Sequence, residues 1–150
     1  MGLYSSIEVS ASGLSAERLA MDVIANNLAN VNTTRTPEGG AFKRQLVIFA
    51  QKQEQNGNPS LNPLDGNNDP GKSHDGVQVV GIVNDPGPDR MVYDPSHPDA
   101  DANGYVHMPN IDAVKEMVDM IAASRAYQAN VTAIQEARSM GAAAMSLLKA

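Results

Sequence analysis

Ala25-Asn26-Asn27-Leu28-Ala29-Asn30-Val31-Asn32 places four asparagines in eight positions, at the end of a segment that otherwise reads as a helix. Asn is a poor helix former because its short amide competes for nearby backbone groups. It also adopts the left-handed conformation of a helix C-cap more readily than most residues. The stretch therefore marks where a long amino-terminal helix stops, and the rest of the fold is read outward from it.

Upstream, Ser5-Ser6-Ile7-Glu8 has the spacing of a capping box, in which Ser5 and Glu8 satisfy each other's exposed amides. Leu3, Ile7, Leu14, Met21, Ile24, Leu28 and Val31 follow a heptad-like seam that Ser10 and Glu17 interrupt. Val9, Ala16, Leu19, Ala20 and Val23 fall on roughly the opposite side. A second helix opens at Pro109-Asn110-Ile111-Asp112, with Asn110 the expected N-cap and Asp112 and Glu116 near the positive end of the dipole. Met117, Met120, Tyr127, Val131, Ile134, Met145 and Leu148 form one seam, broken by Ser124, Arg138 and Gly141. Ala122, Ala126, Ala129, Ala133 and Ala137 form a separate stripe, across which another helix can approach closely. Simple pairing of the two helices uses one face of each. The second apolar face of each is then left over, and contiguous exposed apolar surface marks an interaction site.

Between the helices the chain turns rich in Gly, Pro, Asn and Asp. Thr36-Pro37-Glu38-Gly39-Gly40 reads as a turn. Phe42 to Ala50 reads as a strand with Phe42, Leu46 and Ile48 on one side, and residues 51–76 as a long polar loop. Val77 to Val83, Arg90 to Tyr93 and Gly104-Tyr105-Val106 are further short strands. The fold class is α+β: long N- and C-terminal helices packed as a coiled-coil-like pair, with a small β-rich and loop-rich middle. Three parts are expected, namely assembly helices over 1–32 and 109–150 and a middle over 33–108.

Bulk properties exclude several functions. The 150 residues suffice for one domain and its core. A net charge of −6 with no basic patch argues against nucleic acid. Without cysteine there are no disulfides or thiolate metal sites. No basic n-region followed by an apolar stretch is seen, and no apolar run approaches a membrane span, so the chain reads as cytoplasmic or exported by an unusual route.

Asp94-Pro95-Ser96-His97-Pro98-Asp99-Ala100-Asp101 offers nitrogen and carboxylate ligands for a divalent cation. From Asp99 to Gly104 it copies the first half of a calcium-binding loop, but Asn110 stands where a bidentate Glu belongs and no helix precedes it. Turn chemistry accounts for the same residues, each Asp bonding its own downstream backbone. His74, His97 and His107 lie in no nucleophile motif, and there is no phosphate loop or dinucleotide fingerprint. No metal, cofactor or enzymatic activity is expected.

Several ordered segments, taken together, resemble a known family. Ser12-Gly13-Leu14 through Asn32-Thr33, and Glu116-Met117-Val118-Asp119-Met120 with Ser124-Arg125-Ala126-Tyr127-Gln128-Ala129-Asn130, resemble the bacterial flagellar rod and hook proteins. Thr33-Thr34-Arg35-Thr36-Pro37-Glu38-Gly39-Gly40 and Tyr93 through Asp101, continuing to Gly104-Tyr105-Val106 and Pro109-Asn110, narrow the resemblance to the proximal rod. The resemblance implies a structural subunit of the basal-body rod that crosses the periplasm. Such a subunit is exported unfolded by the flagellar type III apparatus and polymerises through its terminal helices. Its implied partners are copies of itself, other rod proteins, and the motor ring or export-gate base. The implied assembly interface comprises Leu14, Met21, Ile24, Asn27, Leu28, Asn30, Met117, Met120, Arg125, Tyr127, Asn130, Val131 and Ile134, with Arg125 and the Asn26, Asn27 and Asn30 amides fixing register. A discrete helical adaptor or chaperone-like binding module is the rival; it would present one groove, whereas a rod subunit needs several unlike interfaces.

Overall fold

The computed structural model describes residues 3–52 and 76–147. Helix α1 covers Leu3–Ala29 and helix α2 covers Ala113–Leu147. Between them lie β1 (Gln45–Gln51), β2 (Val77–Asn84), β3 (Arg90–Tyr93) and β4 (Tyr105–Met108). Most of the loop expected over 51–76 lies outside the described residues.

The two helices pair along a face of mostly small residues on α1 and a mixed face of small and large residues on α2. Asn27 on α1 meets Glu116 on α2, and fourteen residues further along each helix Gly13 meets Asn130, so the pair is antiparallel in a constant register. On α1 the face toward α2 carries Gly13, Ala16, Ala20, Val23 and Asn27, of which Ala16, Ala20, Val23 and Asn27 are buried. The heptad-like seam of larger residues lies on the flank of this face. On α2 the steps of four and three run through Glu116, Met120, Ala123, Tyr127, Asn130, Ile134, Ala137 and Gly141, all buried or half-buried. Methyl-sized side chains win the contact because they let the two backbones approach closely. At Gly13 a Cβ would sit 2.8 Å from the Asn130 amide nitrogen, so a side chain there would make the Asn130 amide move.

The helix ends are made differently from the sequence reading. Already at Leu3 the chain is helical, so Ser5 lies in the first turn of α1. At the other end no non-glycine residue among those described has a positive φ. Instead, the Asn30 side chain donates to the Asn26 carbonyl at 2.9 Å, a second bond to an acceptor that already takes the Asn30 N–H at 3.1 Å. Helix α2 is capped by Asp112 rather than Asn110, its carboxylate accepting the Val114 N–H at 2.9 Å.

Strands β1 and β2 form an antiparallel hairpin from Gln45↔Asn84 to Gln51↔Val77. A bulge between Ile48 and Phe49 leaves Val80 as the extra residue. Phe42 falls before the strand, its N–H tied to the Thr33 carbonyl at 3.0 Å. The expected turn forms over 36–40, with Gly39 and Gly40 at φ of 94° and 76°, a conformation open to glycine. Strands β3 and β4 pair from Arg90↔Met108 to Tyr93↔Tyr105 in a second two-stranded sheet. The strands of the β1–β2 hairpin pack on α1 and lie apart from β3–β4 and from α2, which the residue just before β1, Arg44, reaches with its side chain. The most enclosed large side chains are Glu116, Val106, Asn27 and Pro109, so the core is centred where α1 ends and α2 begins.

Candidate assembly interface

The two buried polar residues among those described, Asn27 and Glu116, touch each other. The Asn27 amide behaves like a short added strand against Gln45. Its Oδ1 accepts the Gln45 N–H at 2.9 Å and its Nδ2 donates to the Gln45 carbonyl at 2.9 Å. The same Nδ2 reaches Glu116 Oε2 at 3.1 Å. The other carboxylate oxygen accepts the Arg44 Nε–H at 2.7 Å, within the range of a charge-assisted bond. Arg44 is also 3.6 Å from Asp85 and 3.7 Å from Asp119. One cluster thus joins the end of α1, the start of β1 and the first turn of α2. Asn26 adds a bond from its amide to Gln45 Oε1 at 3.1 Å.

The far end of the hairpin is tied to α1 through Ser12. Its hydroxyl donates to the Val9 carbonyl at 2.6 Å and accepts the Val77 N–H at 3.0 Å. Gly76 crosses above it at φ 92°, and a Cβ there would overlap Ser12 Oγ.

The residues expected at the assembly interface fall into three groups. Asn27, Met120, Tyr127, Asn130 and Ile134 lie on the faces that pair α1 with α2. Leu14, Met21, Ile24 and Leu28 form a half-buried flank of α1, with Asn30 and Val131 also half-buried. Met117 and Arg125 are exposed. The asparagine side chains make their hydrogen bonds within the chain: Asn30 bonds Asn26 and accepts from Thr33 Oγ1 at 3.1 Å.

Sequence reasoning missed Arg44 as the partner of Glu116. The available signal was a carboxylate on the inner heptad face of α2, a position that is tolerated only when paired. It also missed how far the outer face of α2 is apolar. Val114, Met117, Val118 and Ile121, at steps of three and four, are 65%, 47%, 59% and 54% exposed. Arg125 continues that row one turn later.

In the segment 94–101 the carboxylates perform turn work. Asp94 accepts from the Ser96 hydroxyl and N–H, and these bonds, the hydroxyl's first, hold its carboxyl below the usual range. Asp101 accepts from the Tyr105 and Asn103 N–H groups and is lowered in the same way, chiefly by Tyr105. Asp99 takes the Thr34 hydroxyl at 2.8 Å, binding this turn to the segment after α1. Among the described residues no three His, Asp or Glu side chains converge to hold a metal ion. No helix among them is long and apolar enough to cross a membrane.

Comparison with known proteins places this geometry. A family model described as flagella basal body rod protein matches residues 7–35, and one described as flagellar basal body rod FlgEFG protein C-terminal matches residues 102–147. The first covers most of α1 and the Asn-rich stretch; the second covers β4 and α2. The chain is 47% identical to the flagellar basal-body rod protein FlgC of Borreliella burgdorferi, over 99% of both chains. It is 40% identical to that of Bacillus subtilis, over 93% of this chain and 94% of the relative. It is 35% identical to that of Salmonella typhimurium, over 93% of both.

Proposed function

Since this chain belongs to the FlgC family of flagellar basal-body rod proteins, and is a structural subunit of the rod and not an enzyme, we propose that it polymerises through its two terminal helices into the driveshaft that transmits motor torque. The observation that carries this reading is the apolar row left on the outside of α2 after the helices have paired. A discrete adaptor would finish with its helical surfaces covered or with one groove. Here the half-buried flank of α1 and the exposed row of α2 are separate surfaces, as a subunit with several neighbours requires.

The family places the chain in the flagellar basal body, among other rod components. The finer reading is that copies of this chain touch one another, other rod proteins and the motor ring or export-gate base, in a rod that crosses the periplasm. The chain's export would run through the flagellar type III apparatus. Residues 1–32 and 109–150 then act as assembly arms and 33–108 as the outward part. The clamp of Asn27, Arg44 and Glu116 sets the angle at which that outward part leaves the arms.

Two measurements test the reading. Removing the chain from its source bacterium is expected to abolish swimming and to yield basal bodies without a rod, and a tagged copy is expected to co-purify with basal bodies. A strain that still swims, or a tagged chain found only as a soluble complex, would overturn it.

A further inference from the structure

The turn that leads into β4 contains a labile dipeptide, Asn103-Gly104. Asn is among the heat-labile residues, and a following glycine leaves the next backbone nitrogen least hindered. Asn103 is exposed, and its carboxamide makes no hydrogen bond among the described residues. The fold fixes the second member of the pair. Gly104 has a φ of 81°, and a Cβ there would sit 3.0 Å from Tyr93 Cε2 and 3.2 Å from Pro95 Cβ. Both the left-handed backbone and these neighbours disfavour a side chain at 104.

The same turn withholds the nucleophile. The Gly104 N–H donates to the Asp101 carbonyl at 3.0 Å. On either side of it, the Asn103 and Tyr105 N–H groups both donate to Asp101 Oδ1 at 2.8 Å. The Asp94 N–H donates to the Gly104 carbonyl at 3.0 Å, and the Asp101 N–H to the Tyr105 carbonyl at 2.8 Å. The proton of Gly104 is thus engaged, and its N–H is directed at Asp101. Exposure alone points to a site that reacts in the folded protein; these bonds point the other way.

We propose that Asn103–Gly104 is a self-modification site gated by folding: it is shut while the turn is closed and converts wherever the chain is unfolded or the turn has opened. The Gly104 nitrogen, once its proton has passed to solvent, forms a bond to Asn103 Cγ. The Cγ–Nδ2 bond breaks, ammonia leaves with a proton from solvent, and a succinimide ring closes. Water then opens the ring at either carbonyl and gives aspartate or isoaspartate at position 103; nothing is oxidised or reduced. Both products put a new negative charge beside the Asp101 carboxylate. The isoaspartate also routes the main chain through the former side chain, which lengthens the turn by one carbon. The bonds from Gly104 to Asp101 and from Asp94 to Gly104 then lose their common register. A chain that lingers unfolded accumulates copies that cannot rebuild the turn, whereas folded copies are preserved.

The test incubates the full chain in mildly alkaline buffer, folded and in urea, and follows the peptide carrying residue 103 by mass spectrometry. Chromatography separates the two products. In urea, Asn103 is expected to convert at a rate similar to that of Asn56-Gly57, the chain's other Asn-Gly pair. In the folded chain, conversion at 103 is expected to be slower by about tenfold or more, because the turn must open first. Asp101→Ala removes the carboxylate that anchors both neighbouring amides. It is expected to speed conversion several-fold in the folded chain and to leave the rate in urea unchanged. Equal rates in the folded and unfolded chain would overturn the gate. So would an unchanged folded rate in an Asp101→Ala chain whose helical amides remain protected. No conversion at 103 in urea, where Asn56 converts, would overturn the site itself.

Discussion

Replacing Arg44 by Met keeps most of the side-chain stem but removes the only cationic partner within 4.0 Å of the Glu116 carboxylate among the described residues. The Glu116 residue is 0% exposed, so its carboxylate relies on protein partners. What remains is a buried charge with one bond from Asn27 at 3.1 Å. Breaking a buried pair from one side costs about 3–5 kcal/mol, because the stranded ion keeps its desolvation penalty. The Arg44 contacts to Asp85 and Asp119 add little, being long and partly exposed. For a chain of this size the loss corresponds to a fall in Tm of about 10 °C. Urea unfolding followed by far-UV circular dichroism reads it directly. Glu116→Leu alone strands Arg44 less severely, since Asp85 and Asp119 stay nearby. The double variant is therefore expected to be more stable than the sum of the single losses by about 1.5 kcal/mol or more. A high-salt repeat adds a control, because screening acts on exposed pairs and spares a buried one. If Arg44→Met costs under about 1 kcal/mol, or if the two losses simply add, the cluster is not the tie that holds the hairpin to the helices.

Other expected outcomes follow from the same geometry. Gly76→Ala forces a left-handed φ on an L-residue and drives its methyl into Ser12, so a loss of about 2–3 kcal/mol is expected, with faster amide exchange in β2; unchanged exchange would contradict it. Asp112→Ala removes the α2 cap for about 1 kcal/mol and frees the Val114 and Lys115 amides to exchange, while Asn110→Ala leaves those amides protected. Asp94 and Asp101 have carboxyls lowered by folding, so their contribution is complete above the ordinary carboxylate range and is lost as pH falls through the lowered values. The Ser96 and Tyr105 amide resonances are accordingly expected to hold steady from neutral pH down to that range and to move only below it; movement near pH 6 would refute the assignment.

Patterns carried by consecutive residues were legible in advance. The two long helices follow from apolar steps of three and four, and the strands over 77–83 and 90–93 from short apolar runs between turn residues. The turn of 36–40 follows from Pro37 and the two glycines after Glu38. Helix ends were less legible. Asn110 and Asp112 are both good caps in isolation, and the choice fell to Asp112 because Pro109 and Ile111 are drawn into the core, which holds the chain extended until residue 112.

The sequence by itself determined that there would be two amphipathic helices, a short-stranded middle and apolar faces left over, because these depend on local periodicity. The comparison with relatives agrees with the family that its ordered motifs resemble. Only the tertiary structure decided which helical faces meet. Hydrophobic weight favoured the seam of Leu14, Met21 and Leu28, yet the contact went to Ala16, Ala20 and Val23, since close backbone approach and a satisfied Asn27–Glu116 pair outweigh bulk. The partnership of Arg44 with Glu116 spans 72 residues, and nothing in local sequence encodes a distance of that kind. Periodicity says that a face is apolar; what covers it depends on where the rest of the chain comes to lie.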